Sequence, residues 1–174
     1  GPVRGEPGAG GRGQAVKGGL EVGWSKWDLD RPWLCVDLDR LEANLDRMQT
    51  TVRRNGIASR PHAKTHKCPA IAQLQLAGGS VGICTAKISE AEVMVEGGID
   101  PILITSPIAT RGKLARLLAL AQHAPSLQIV TDRLQNVRDL NDGAAAVGIK
   151  LQVVVERNAG DHRLRIMPGE PAVT

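Results

Sequence analysis

Arg60-Pro61-His62-Ala63-Lys64-Thr65-His66-Lys67-Cys68-Pro69 joins two kinds of signal within ten residues. Arg60, His62, Lys64 and His66 recur at every second position, the spacing that a strand sends to one face. Pro69 then opens a helix, because the first helical N–H has no partner to lose. Like charges side by side on an exposed sheet repel. A row of four basic groups therefore points to a pocket for an anionic ligand. A lysine crowded by other cations also sheds its proton more readily and becomes a nucleophile able to form a Schiff base.

The same strand-then-helix unit repeats on both sides of this block. Trp33-Leu34-Cys35-Val36-Asp37-Leu38 reads as a short apolar strand. Asp39 offers a helix N-cap, and Leu41, Leu45 and Met48 follow at helical spacing up to the stop Asn55-Gly56. Residues 57–64 form the second strand. The helix from Pro69 ends at Gly78-Gly79. Val81-Gly82-Ile83-Cys84 is the third strand, and a helix from Ser89 to Glu96 closes at Gly97-Gly98. Pro101-Ile102-Leu103-Ile104-Thr105 precedes a helix from Lys113 to His123. Leu127-Gln128-Ile129-Val130 precedes a helix capped by Asp132 and ending at Val147-Gly148. Leu151 to Glu156 is the last clear strand, and Pro168-Gly169-Glu170-Pro171-Ala172-Val173 resembles a helix opening.

Strict alternation of apolar strands with helices implies an α/β fold with a parallel sheet. A doubly wound sheet and a (β/α)8 barrel both fit. No G-x-G-x-x-G follows a strand, so nothing supports the dinucleotide-binding form. A complete barrel takes about 250 residues, so the 174 residues present predict a partial TIM-type barrel ending after about six strands.

Residues 1–26 carry nine glycines and two prolines. That composition cannot offset the cost of ordering a chain, so the segment is expected to be a disordered tail before a domain spanning 27–174. The chain contains no Phe or Tyr, so its core must be aliphatic. Its net charge is +4, but charges of both signs are dispersed, which argues against nucleic acid as a partner. Cys35, Cys68 and Cys84 show no C-x-x-C spacing, which favours a reducing compartment and hence the cytoplasm. No apolar run reaches the roughly 20 residues needed to cross a bilayer, so no membrane association is expected.

Four blocks in this order carry a family resemblance: Leu34-Cys35-Val36-Asp37-Leu38-Asp39, Leu41-Glu42-Ala43-Asn44-Leu45, the Arg60–Cys68 segment, and Val81-Gly82-Ile83-Cys84-Thr85-Ala86-Lys87. From about Asp30 onward the chain resembles the D-threonine aldolase and D-serine dehydratase group, within the alanine racemase-like class of pyridoxal 5'-phosphate (PLP) enzymes. R-P-H-x-K-T-H-K is the specific part. The resemblance implies an alanine racemase N-terminal-like barrel in which Lys64 is the catalytic lysine and carries PLP. His62 and His66 are candidates to line the cofactor pocket, with plain packing as the alternative for each.

Val153-Val154-Val155-Glu156-Arg157-Asn158-Ala159-Gly160-Asp161-His162-Arg163 resembles a family strand and turn that brings Arg163 to the cofactor. Asn158 stands where the family has an acidic residue, and Arg165 where it has Gly. The family's divalent-metal ligands lie in a carboxy-terminal domain, so the resemblance gives this chain no metal ligand. His62 and His66 alone, with no adjacent carboxylate, make a poor metal pair.

The function implied is a PLP-dependent lyase cleaving Cα–Cβ in a D-3-hydroxy amino acid, with this chain an inactive piece of it. A D-serine dehydratase-like lyase, a non-catalytic PLP-binding homeostasis protein and a fragment without function are the other readings. The R-P-H-x-K-T-H-K block favours the aldolase group, since homeostasis proteins usually lack it. The substrate among D-threonine, D-serine and D-3-hydroxyaspartate stays open. The class often completes its site across a dimer, which leaves a homodimer compatible with the resemblance.

Overall fold

The computed structural model describes residues 33–156, together with Gly23 and residues 25–28. By its internal contacts the chain divides into two units, Gly1–Leu41 and Glu42–Thr174. In the first unit, Lys26–Asp28 make one 3-10 turn, with Lys26 stacked over the Trp27 ring. The expected tail falls almost wholly outside the described residues.

Helix α1, Leu38–Arg54, starts in the first unit and runs into the second. Its cap is Asp37, whose Oδ1 accepts the Arg40 amide N–H at 3.1 Å; Asp39 lies inside the first turn. Residues 33–37 of the apolar run take no regular secondary structure and pair with no strand among the described residues, and Leu34 is fully exposed. The strand expected there does not form. An apolar run becomes a strand only where a neighbour takes up its backbone hydrogen bonds.

In the second unit, strands and helices alternate: α2 Pro69–Ala77, β1 Ile83–Thr85, α3 Ile88–Glu96, β2 Ile102–Ile104, α4 Arg111–His123, β3 Gln128–Thr131, α5 Leu134–Ala146 and β4 Gln152–Val155. The expected glycine closures hold, with Gly78 and Gly97 at the C-caps of α2 and α3. Asp132 does not cap α5. Arg133 holds the N-cap position and makes no side-chain cap.

All four strands are parallel and lie side by side in chain order. This order separates the two architectures left open above. A doubly wound sheet reverses its strand order at a switch point. Here each strand adds beside its predecessor, and right-handed crossovers then put every helix on one face. That is the arrangement of a barrel wall.

The core lies between that face and the helices. Ile83, Ile102, Ile104 and Ile129 pack with Ala91, Met94, Leu117, Ala121 and Leu140 in one buried cluster. The register Ile83↔Ile102 and Ile104↔Ile129 aligns these isoleucines across the sheet. Close approach of helices and loops requires small residues. A Cβ on Gly97 would collide with the Pro69 ring, so α3 ends directly against the start of α2.

Cys84, Leu103, Gln128, Val130 and Gln152 alternate with the core residues and so occupy the opposite face. An edge segment joins the sheet beside β1. Ser59 O accepts the Val81 amide at 2.9 Å, Pro61 O accepts the Cys84 amide at 2.8 Å, and Cys84 O accepts the Ala63 amide at 2.8 Å. Only His62 is bridged to β1, opposite Cys84. The strand expected over 57–64 therefore shrinks to a single bridge, and the chain turns at Ala63.

Ile104 sits at the centre of the buried layer and is 1% exposed. Ile104→Ala is expected to destabilise the chain by about 2–5 kcal/mol, because the cavity cannot collapse between sheet and helix. A urea titration checks this through a lower midpoint at unchanged slope.

Candidate active site at the carboxyl ends of the strands

Parallel β/α sheets present their chemistry where strands end and loops begin. His62, Thr85 and Thr105 meet at this rim. His62 Nε2 and Thr105 Oγ1 are 3.2 Å apart. The Thr105 hydroxyl donates to Thr85 O at 3.0 Å, and the Thr105 amide donates to the same oxygen at 2.8 Å. His62 therefore reaches across the end of β1 to the residue that follows β2. Lys64 stands exposed on the adjoining turn. Its backbone N–H donates to His62 Nδ1 at 3.3 Å.

The turn is closed by the Lys67 amide, which donates to Ala63 O at 2.8 Å, and Lys67 adopts a φ of 50°. This turn breaks the row of basic groups expected from the period-two spacing. Arg60 leaves the rim altogether. Its Nη1 donates to Gln128 Oε1 at 2.7 Å, at the amino end of β3, and Gln128 Nε2 donates to Gln152 Oε1 at 3.1 Å. His66 turns toward α2. Its Nδ1 accepts the Cys68 amide at 3.1 Å, and its Nε2 is buried toward Gln75 of α2. Of the four residues, His62 and Lys64 share the rim, and Arg60 and His66 do not.

The protonation states follow from this placement. His62 binds a proton more weakly than an ordinary imidazole, first because it is partly buried and then because the Lys64 charge is close; the Glu90 carboxylate opposes both. Burial lowers His66 in the same way. The Cys84 thiol is pushed up by burial, against the pull of Arg60, so it stays a neutral thiol and no nucleophile.

Glu90 belongs to α3, and its Oε2 accepts the Ala86 amide at 2.8 Å, which fixes the loop after β1. Beside it lies an open depression of about 230 Å³ lined by Lys67, Lys87, Ser89, Glu90, Val93 and Met94. Sequence reasoning missed Thr105 and Glu90. Thr105 did carry one signal, as the first polar residue after the apolar strand β2, the position from which barrel loops supply chemistry.

Lys64 and His62 are the residues able to hold a carbonyl cofactor here: an exposed amine and a hydrogen-bonded ring beside it. Arg163 lies outside the described residues. Among the described residues no group of three or more His, Cys, Asp or Glu is placed to hold a metal ion.

The family model "Alanine racemase, N-terminal domain" matches residues 36–173. The D-threonine aldolase of Arthrobacter sp. is 41% identical over 135 residues, 78% of this chain and 35% of that protein. The 3-hydroxy-D-aspartate aldolase of Paracoccus denitrificans is 34% identical over 152 residues, 87% of this chain and 39% of that protein. The crystal structure of D-threonine aldolase from Filomicrobium marinum superposes with a TM-score of 0.78 at 44% identity, covering 83% of this chain and 39% of the other. Two dehydratases also match, at 30% and 27% identity. The chain thus spans less than two fifths to about two fifths of the length of these relatives. A parallel wall wound in one direction, a lysine on the turn at its carboxyl rim and a family match over 36–173 together establish that the chain belongs to the alanine racemase N-terminal domain family.

Proposed function

We propose that the chain forms the lysine-bearing part of a PLP-dependent lyase for D-3-hydroxy amino acids, with Cα–Cβ cleavage of the D-threonine aldolase kind. The observation that carries this reading is Lys64, exposed at the carboxyl rim with its backbone tied to His62. Higher identity to the aldolases than to the dehydratases favours cleavage over dehydration.

PLP, when bound, supplies an electron sink for negative charge developing at the substrate α-carbon. The Lys64 amine would hold the cofactor, and its exposure lets an aldehyde reach it. The proton to be removed is that of the substrate's 3-hydroxyl, and Lys64 Nζ, once the substrate amine has displaced it from the cofactor, is the group that would accept it. His62 is not, because both of its ring nitrogens are already engaged. His62, which holds its proton weakly, adds little positive charge beside Lys64. The described residues offer no ligand set for a divalent ion, so no step is assigned to one. The substrate carboxylate would find Lys67 and Lys87 at the neighbouring depression.

Mixing the purified 174-residue chain with one equivalent of PLP is expected to give an imine absorbance band. The band should vanish in Lys64→Ala and survive in His66→Ala; a band undiminished in Lys64→Ala refutes the assignment. With D-threonine, PLP and a divalent ion, the 174-residue chain by itself is expected to turn over little or no substrate. Strong turnover would show that the described rim is sufficient for the reaction.

A stability dependence follows from the two depressed imidazoles. Their folded pKa values lie below the ordinary 6.5, so the unfolded chain takes up protons first as pH falls. Stability is therefore full above pH 6.5 and declines below it. Urea midpoints at successive pH values should drop on the acid side of 6.5, and replacing both histidines with Gln should flatten that part of the profile.

A further inference from the structure

The hydrogen bonds at the rim fix more than distances; they fix where the protons are. A threonine hydroxyl has one proton. Thr105 spends it on Thr85 O at 3.0 Å. Toward His62 Nε2, 3.2 Å away, Thr105 Oγ1 can then only accept, so Nε2 must carry the N–H. On the other side of the ring, Nδ1 faces the Lys64 amide N–H at 3.3 Å. A backbone amide can only donate, so Nδ1 must be bare. Both constraints select the same form of the ring: neutral, with its proton on Nε2.

We infer that His62 is a positioning residue for Lys64, locked in its Nε2–H tautomer by the Thr105–Thr85 pair so that Nδ1 anchors the lysine's backbone. This inference rests on the reading of Lys64 as the residue that holds the cofactor, and it extends that reading to the residues that aim the lysine. Two main-chain bonds hold the ends of the turn, Ala63 N–H to Cys84 O and Lys67 N–H to Ala63 O, each 2.8 Å. Neither touches Lys64 itself. The His62 ring supplies the side-chain contact to the Lys64 backbone, and Thr105 sets which of its nitrogens does so. The charged groups that act on the ring are Lys64 on its own turn and Glu90 on α3. They bear on whether the ring is charged, whereas the two hydrogen bonds decide its tautomer.

The chain's tautomers can be read without any cofactor. In the 15N-labelled 174-residue protein, long-range 1H–15N correlations of His62 are expected to show a single neutral form protonated at Nε2. Thr105→Ser keeps the hydroxyl and should keep that pattern. Thr105→Val removes one of the two constraints and should let a minor Nδ1–H population appear, with exchange of the Lys64 amide accelerated roughly ten-fold. The initial rate of imine formation with PLP should fall in the same variant, while the final amplitude of the band is retained.

A proton on Nδ1 in the wild-type ring overturns the inference, as does a Thr105→Val protein with both the tautomer and the Lys64 exchange rate unchanged. Should Thr105→Val fail to fold, the wild-type and Thr105→Ser spectra decide alone. A chain that forms no Lys64-dependent band overturns the proposed function and leaves the tautomer measurement standing on its own.

Discussion

One main-chain pairing places everything at the candidate site: the clasp between residues 61–63 and Cys84. Pro61 O and the Ala63 amide close on the Cys84 amide and carbonyl, both at 2.8 Å. The clasp is short because β1 itself ends at Thr85. Beyond that point no neighbouring backbone remains to extend the ladder, and the basic segment must satisfy its own groups by turning. The turn delivers Lys64 to the rim, and the last bridged residue, His62, delivers its ring to Thr105. Position at the rim is thus a consequence of where hydrogen bonding runs out, and the lysine sits two residues past that limit.

The sheet order makes the placement consequential. With four parallel strands added in one direction, the helices cover one face and build an aliphatic core without Phe or Tyr. The opposite face is free to carry polar groups. Arg60, Gln128 and Gln152 form a hydrogen-bonded row at the amino ends of the strands, and Gln152 Nε2 extends it to Pro125 O at 3.3 Å. His62 and Thr105 occupy the carboxyl end. Gly82 allows the Arg60 guanidinium to lie at the amino ends: its φ is +153°, and a Cβ would sit 3.2 Å from Arg60 Cζ and 2.8 Å from Pro101 O.

Much of the fold was legible because its signals are local. Pro69 starts α2 and Gly78-Gly79 end it; Gly97-Gly98 end α3. The isoleucines of 102–104 and 129 read as strand and are strand. What the chain could not reveal locally was pairing. Trp33–Leu38 has a strand's composition and stays unpaired among the described residues. The spacing of Arg60, His62, Lys64 and His66 is a strand's spacing, yet the strand stops at His62, since pairing depends on the length of β1. At the site, Lys64 and His62 could be named from the motif alone. Thr105 could not, because a lone threonine after an apolar run gains its role only when another strand's histidine reaches it.

That interruption also resolves the electrostatic difficulty posed by four basic groups in a row. On a continuous strand, alternate residues stand about 6.6 Å apart along one face, close enough for like charges to weaken the sheet. The structure spreads them instead. Arg60 is drawn to the amino end by Gln128 Oε1 at 2.7 Å. His66 swings to the helix side and is held neutral by burial. His62 stays on the rim but gives up its charge, because both burial and the lysine disfavour its proton. Lys64 is left as the exposed cation of the four at that edge. What the edge then presents is one exposed amine beside a weakly basic, oriented ring, the kind of group that condenses with a carbonyl once it has lost its proton.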